Sequence, residues 1–211
     1  MRRLWLWPRL TLGLALGLAV AGLAIGPGPV RADPMALWNI VNGQCAPDEQ
    51  QRHDPAPCSA VDLPHGYAVL KDLVGAAQFL LIPTARISGI EDPAVLAPDA
   101  VNYFAEAWEA RAYTAERLGA PQARDVIILA INSEYGRTQN QFHIHIDCIR
   151  PDVRAALAAN LDKVGPTWAP FPVTLAGSPY RAIRIGQETL GDVNPFRVLA
   201  DGVPGARQAM G

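Results

Sequence analysis

Apolar and polar positions alternate along this chain in a way that divides it into short elements. Residues 36–44 (ALWNIVNGQ) predict a short helix ending at Gly43. The runs 67–72 (YAVLKD) and 78–83 (QFLLIP) are apolar and strand-like, joined by a turn around Val74 and Gly75, and predict a hairpin. Over 100–118, Val101, Phe104, Trp108, Ala112, Ala115 and Leu118 recur at spacings of three and four. That is one face of a helix, with Phe104 and Trp108 read as core, and Gly119 and Pro121 supply its stop. The strand 125–132 (DVIILAIN), the loop SEYGRTQN and the strand 141–149 form a second hairpin. Pro151 opens a helix to about Lys163, with Asp152 as its cap. Residues 167–185 read as loop with one or two short strands, and the Gly- and Pro-punctuated stretch 190–211 gives no firm element. Antiparallel hairpins with packed helices make an α+β domain.

The N-terminus changes the picture of where this domain works. Arg2 and Arg3 precede an apolar run over 10–25, Pro27 and Pro29 break it, and Val30-Arg31-Ala32 offers small residues at the positions flanking a cleavage site. This is a secretory signal pattern over 1–32, with retention as an N-terminal membrane anchor as the alternative. The run is short of the roughly 20 residues of a comfortable span. Either way, residues 33–211 form one domain expected outside the cytoplasm, periplasmic and at the inner membrane if the anchor stays.

Four of the 18 basic residues lie in the first 32 and no acidic one does, which leaves 14 basic against 20 acidic. That balance argues against nucleic acid as a partner. Of three cysteines, Cys45 and Cys58 flank the polar segment CAPDEQQRHDPAPC, which we read as a loop. In an oxidising compartment the pair suits a disulfide, and Cys148 is left as a buried thiol.

The candidate chemistry sits in QFHIHIDC, residues 141–148, which holds two of the four histidines. In a strand, alternate residues share a face, so His143, His145 and Asp147 align while Phe142, Ile144, Ile146 and Cys148 face a core. Three readings fit an isolated His-x-His. It is a metal site with Asp147 as third ligand, a nucleophilic histidine with a partner, or a half-exposed pair with no task. The preceding loop carries Gly136, Arg137, Thr138, Gln139 and Asn140, donors suited to phosphate. Arg150 follows the strand, Lys71 and Asp72 end the first hairpin's leading strand, and Asn132 ends the strand before the loop.

These residues carry a resemblance. Asn132 with Phe-His-Ile-His-Ile, and Lys71-Asp72-Leu73 with Gln78-Phe79-Leu80-Leu81-Ile82-Pro83, resemble the histidine-triad superfamily of nucleotide hydrolases and transferases. The strings GYAVLKDL, LAINS, GRTQNQFHIHI and CIRPDVR are similar to bacterial CDP-diacylglycerol pyrophosphatases, whose N-terminal apolar segment and cysteine pair also match.

The resemblance implies a histidine-triad-like fold and hydrolysis of membrane-held CDP-diacylglycerol to CMP and phosphatidate, with no cofactor and no metal. It makes His145 the nucleophile on the CMP phosphorus and His143 its support. Gln139 and Asn140 become phosphate donors, Asn132 lies near the nucleotide, and Asp72 holds the ribose. Lys71, Arg137 and Arg150 are electrostatic candidates for the diphosphate. The superfamily often has a third histidine where Asp147 stands, and longer relatives continue past Gly211, with a strand pair implied there. A soluble nucleoside diphosphate substrate and a non-catalytic metal-binding protein are the alternative readings.

Overall fold

The computed structural model describes residues 33–210, so the segment 1–32 expected to be a signal or anchor lies outside the described residues. Among those described, no helix is long and apolar enough to cross a membrane.

Both predicted hairpins are present. β1 (Ala60–Asp62), β2 (Tyr67–Lys71), β3 (Phe79–Pro83), β4 (Ile127–Ala130) and β5 (Ile144–Cys148) form one antiparallel sheet in the order β1-β2-β3-β5-β4. The second hairpin docks its histidine strand against the first, with Leu80 opposite His145. β5 is therefore interior, and its backbone is fixed by ladders on both sides. All five residues of β3 are buried, which requires cover on both faces of the sheet.

One cover is the N-terminal helical segment. α1 (Ala36–Ile40) passes through a π-helical turn (Val41–Cys45) into α2 (Ala46–Arg52). The stop expected at Gly43 is not taken. Glycine inside a helix costs only about 1 kcal/mol. Leu37, Val41 and Cys45, spaced by four, bury against Ala68, Leu70, Leu80 and Ile82, which outweighs it. The segment read as a polar loop between the cysteines is thus helical in its first half. It ends where His53 turns left-handed, and the Cys45–Cys58 disulfide closes it.

The other cover is α3 (Tyr103–Leu118), started by the Asn102 side chain accepting from the Ala105 N–H. Its buried stripe is Tyr103, Ala107, Ala110 and Thr114, one step round from the expected face. The two alanines let the helix approach Phe79, Leu81, Ile144 and Ile146 closely, and the larger side chains flank the contact. Trp108 is displaced from the expected core and stands by the guanidinium groups of Arg111 and Arg124, at 4.2 and 4.6 Å.

α4 (Pro151–Ala158) is shorter than expected, and a 3₁₀ turn follows over Leu161–Lys163. Arg150, not Asp152, holds its cap position, and Asp152 pairs with Arg150 instead. Cys148 is half-buried rather than buried. β6 (Ala169–Pro170) and β7 (Arg181–Ala182) form a small ribbon. In the stretch without a predicted element, α5 (Pro195–Gly202) buries Phe196 and Ala200 in the α3-side core. Its Asn194 cap was the sequence signal for it.

Candidate active site

The N-terminal helices cover the β2–β3 half of their face and leave His145, Asp147 and Ala130 to line the β5–β4 half. His145 sits near the middle of β5, opposite Leu80 on one side and Ala130 on the other. Around its ring the sheet assembles three polar side chains. Nδ1 lies 3.0 Å from the Gln78 amide nitrogen and 3.8 Å from Asp72 Oδ2. The Gln78 amide also donates to that same Asp72 oxygen. On the far side of the ring, the Asn132 amide nitrogen is 3.4 Å from Nε2.

Just ahead of β5, the His143 ring meets that of His145 edge-on, at 4.9 Å between centroids. His143 Nδ1 is 2.7 Å from the carbonyl oxygen of Gln141. A carbonyl only accepts, so Nδ1 carries the proton and Nε2 keeps its lone pair. Burial lowers the pKa of both histidines below the ordinary value of 6.5. For His143, the Gln141 carbonyl and Asp72 work in the opposite direction, while His145 and Arg137 add to the lowering. For His145, Asp72 and Asp147 oppose burial without overcoming it. Both rings are accordingly neutral at neutral pH, the state in which an imidazole is a nucleophile or a base.

Asp72, expected at the ribose, is held within its own turn. Its Oδ1 accepts from the Val74 N–H at 3.1 Å and its Oδ2 from Gln78, so both oxygens are engaged within the turn. Asp147 accepts from the Cys148 N–H at 2.7 Å and acts on His145 by charge alone. Among the described residues, no group of three His, Cys, Asp or Glu side chains is placed to hold a metal ion, and the alternative set of His143, His145 and Asp147 is not such a group.

The remaining candidates are spread more widely. Lys71 projects from the opposite face of β2, 5.9 Å from the Phe79 ring, and its ammonium donates to the carbonyls of Asp72 and Gly75 at 2.6 and 2.9 Å. It pins the turn rather than facing the histidines. Arg137 is nearly buried, its side chain 7% exposed, and forms two hydrogen bonds to Glu91 at 2.8 and 2.6 Å. Glu91 is thus the partner of the guanidinium expected to meet the diphosphate, although its charge still acts on His143.

Gln139 accepts from the Leu37 N–H at 3.1 Å and donates to the Asp33 carbonyl at 2.9 Å, and the Asn140 N–H donates to Pro34 at 2.7 Å. These two tie the loop to the chain leading into α1. Arg150 is exposed and paired with Asp152. The structure thus brings together His143, His145, Asp72 and Asn132. It sets Lys71, Arg137, Gln139 and Arg150 to other partners and fixes Asn140 through its backbone.

Sequence reasoning missed Gln78 and Gln141. Period-two alternation through 78, 80 and 82 puts Gln78 on the histidine face, so its signal was present. Gln141 is buried, donating to the carbonyls of Pro83 and Ala85 and accepting from Arg86. It locks the loop before β5 to the end of β3. A cleft of about 650 Å³ between α2, β1 and α3 lies away from the histidines. Its acidic lining, with Glu49, Asp62 and Glu109, is unsuited to a diphosphate.

Known proteins can be set against this geometry. A HIT family hydrolase from Clostridium thermocellum has a TM-score of 0.36 to this chain at 21% identity, over 49% of this chain and 88% of that one. A curated CDP-diacylglycerol pyrophosphatase from Yersinia pestis is 48% identical over 206 residues, 97% of this chain and 79% of that protein. The CDP-diacylglycerol pyrophosphatase family model matches residues 32–211. A match of that extent, on a sheet that carries a paired, neutral His143 and His145, places the chain in the CDP-diacylglycerol pyrophosphatase family.

Proposed function

We propose that this hydrolase cleaves CDP-diacylglycerol to CMP and phosphatidate by attack of His145 Nε2 on the phosphorus of the CMP half. The bond from that phosphorus to the bridging oxygen breaks, and the electron pair leaves with phosphatidate. A CMP–His145 adduct forms. Water then attacks the same phosphorus, CMP departs, and the water proton passes to His143 Nε2.

The observation that carries this reading is the environment of the His145 ring. Attack through Nε2 needs the proton on Nδ1, and the Asp72 carboxylate 3.8 Å from Nδ1 favours it there. The same charge stabilises the imidazolium character that Nδ1 acquires in the adduct. The Gln78 amide donates to the Asp72 oxygen nearest Nδ1 and so holds that carboxylate beside the ring. Asn132 stands on the Nε2 side, where a phosphate oxygen would pass. The burial of both histidines keeps them unprotonated at neutral pH.

A bilayer-held substrate and the apolar run over 10–25 together favour the inner membrane, with the domain on its periplasmic side. The test is single-turnover incubation with CDP-diacylglycerol labelled in the CMP phosphate, beside His145→Ala. We expect label on the protein after alkaline quench, absent from His145→Ala, and turnover lowered by on the order of 10⁴-fold or more. An adduct of undiminished yield in His145→Ala sinks the assignment. Faster turnover of a soluble CDP derivative than of the lipid would move the substrate class.

A further inference from the structure

The turn joining β2 to β3 is built outward rather than inward. Leu73 is 102% exposed and Val74 71% exposed, the most exposed pair of adjacent large apolar side chains among the described residues. Solvent gains nothing from such a pair, and a floppy tip would hide them. This tip is held in place. Asp72 Oδ1 accepts from the Val74 N–H, the Asp72 N–H donates to the Gln78 carbonyl, and Lys71 bonds the carbonyls of Asp72 and Gly75. Arg117, at the end of α3, reaches the Ala76 carbonyl at 3.4 Å. Gly75 takes a left-handed conformation, φ 74°, that closes the turn.

The tip also adjoins the chemistry. Leu73 directly follows Asp72, whose carboxylate is 3.8 Å from His145, and adjacent Cα atoms are about 3.8 Å apart. A Cβ on Gly75 would lie 3.7 Å from Asp147 Oδ2, so the turn leans over the open half of the histidine face. One carboxylate thereby braces the apolar tip and serves the reactive ring.

We propose that Leu73 and Val74 form a lipid-contacting tip that enters the acyl region beside a bilayer-held substrate. His145 is then set at the level of the headgroup diphosphate. The inference rests on the reading that the substrate is a membrane lipid. The geometry suits it, because an interfacial apolar element reaches only about 5–10 Å below the headgroups. A lipid diphosphate lies at that surface, so a reactive ring a few ångströms from the tip meets it without extracting the lipid. Tyr135, 90% exposed, belongs to the β4–β5 loop at the opposite end of the strands and serves as an internal control.

Two measurements on the full chain test this. Leu73→Cys and, separately, Tyr135→Cys are made with Cys148→Ser, labelled with an environment-sensitive fluorophore and mixed with phosphatidylcholine vesicles. A blue shift at position 73 and none at 135 is expected. No shift at 73, or equal shifts at both, overturns the proposal.

The double variant Leu73→Ser, Val74→Ser is then assayed on CDP-diacylglycerol in the same vesicles and on a short-chain, monomeric CDP-diacylglycerol. The vesicle rate should fall at least about tenfold while the short-chain rate holds. Unchanged vesicle turnover, or an equal loss on both substrates, overturns it. If the parent protein hydrolyses neither substrate, the proposed function fails, and the fluorescence still decides for or against the tip.

Discussion

The side-chain amide of Gln78 stands 3.0 Å from Nδ1 of His145 and joins that ring to Asp72. Gln78 is a positioning residue: it acts on the ring and not on the substrate. Gln78→Ala should lower kcat on the order of 10²-fold, the scale of a misplaced reacting group, with KM little changed. Water entering in place of the amide relieves part of the desolvation, so the acid limb of the rate profile should move up toward the ordinary histidine value. A kcat–pH series reads both effects, and an unmoved limb with intact kcat would remove Gln78 from the site.

The pH profile of the parent follows from burial. Desolvation holds His143 and His145 below 6.5, so both stay neutral as pH falls through that value. Turnover should persist below pH 6.5 and drop only at the lowered values. Stability declines on the same acid side but begins to do so at higher pH. The unfolded chain protonates its histidines first, so stability is full above 6.5 and declines as pH falls from there toward the folded values. Urea unfolding across that window measures the slope, and replacing His143 by Asn should flatten it.

Arg137 and Glu91 pair in a tight space. Burial alone would raise the Glu91 pKa, but hydrogen bonds from Arg137 and Ser88 and the guanidinium charge carry it below the ordinary 4.5. Its contribution is present above that value and is lost as pH falls through the lowered one. Arg137→Ala leaves the carboxylate without its partner and should cost about 3 kcal/mol in denaturant unfolding.

Gly89 belongs to the same pair. A Cβ there would run into both Arg137 Nη1 and Glu91 Oε2. Gly89→Ala should displace the pair and lower the unfolding midpoint, an effect that largely disappears in the Glu91→Ala, Arg137→Ala background.

The Cys45–Cys58 disulfide, with a sequence separation of 13, holds the start of α2 beneath the β2–β3 half of the histidine face. Its replacement by two alanines should cost about 3 kcal/mol in the chain-entropy account. Thermal unfolding with and without reductant checks it, and the alanine variant should lose its response to reductant.

Much of the fold could be read from the chain because its signals are local. Alternation by two set the hairpins 67–83 and 127–148 and put His143, His145 and Asp147 on one face. Phe-His-Ile-His-Ile with its neighbours was distinctive enough to carry a family resemblance. Local signals fail where long-range packing competes. The helix ran through Gly43 because Leu37, Val41 and Cys45 found an apolar sheet face. The α3 stripe shifted because Ala107 and Ala110 pack closer than Phe104 and Trp108 can.

Composition marked the polar residues that suit phosphate but not their partners. Only the folded chain pairs Arg137 with Glu91, turns Lys71 away and commits Gln139 to the backbone of residues 33 and 37. By itself the sequence determined which strand carries His145, with His143 just ahead of it, and that the two rings meet on one face. Tertiary structure decided the company they keep, Gln78 and Asp72 above all. A side chain's partner depends on strands brought together from 67 residues apart, and no local pattern encodes that distance.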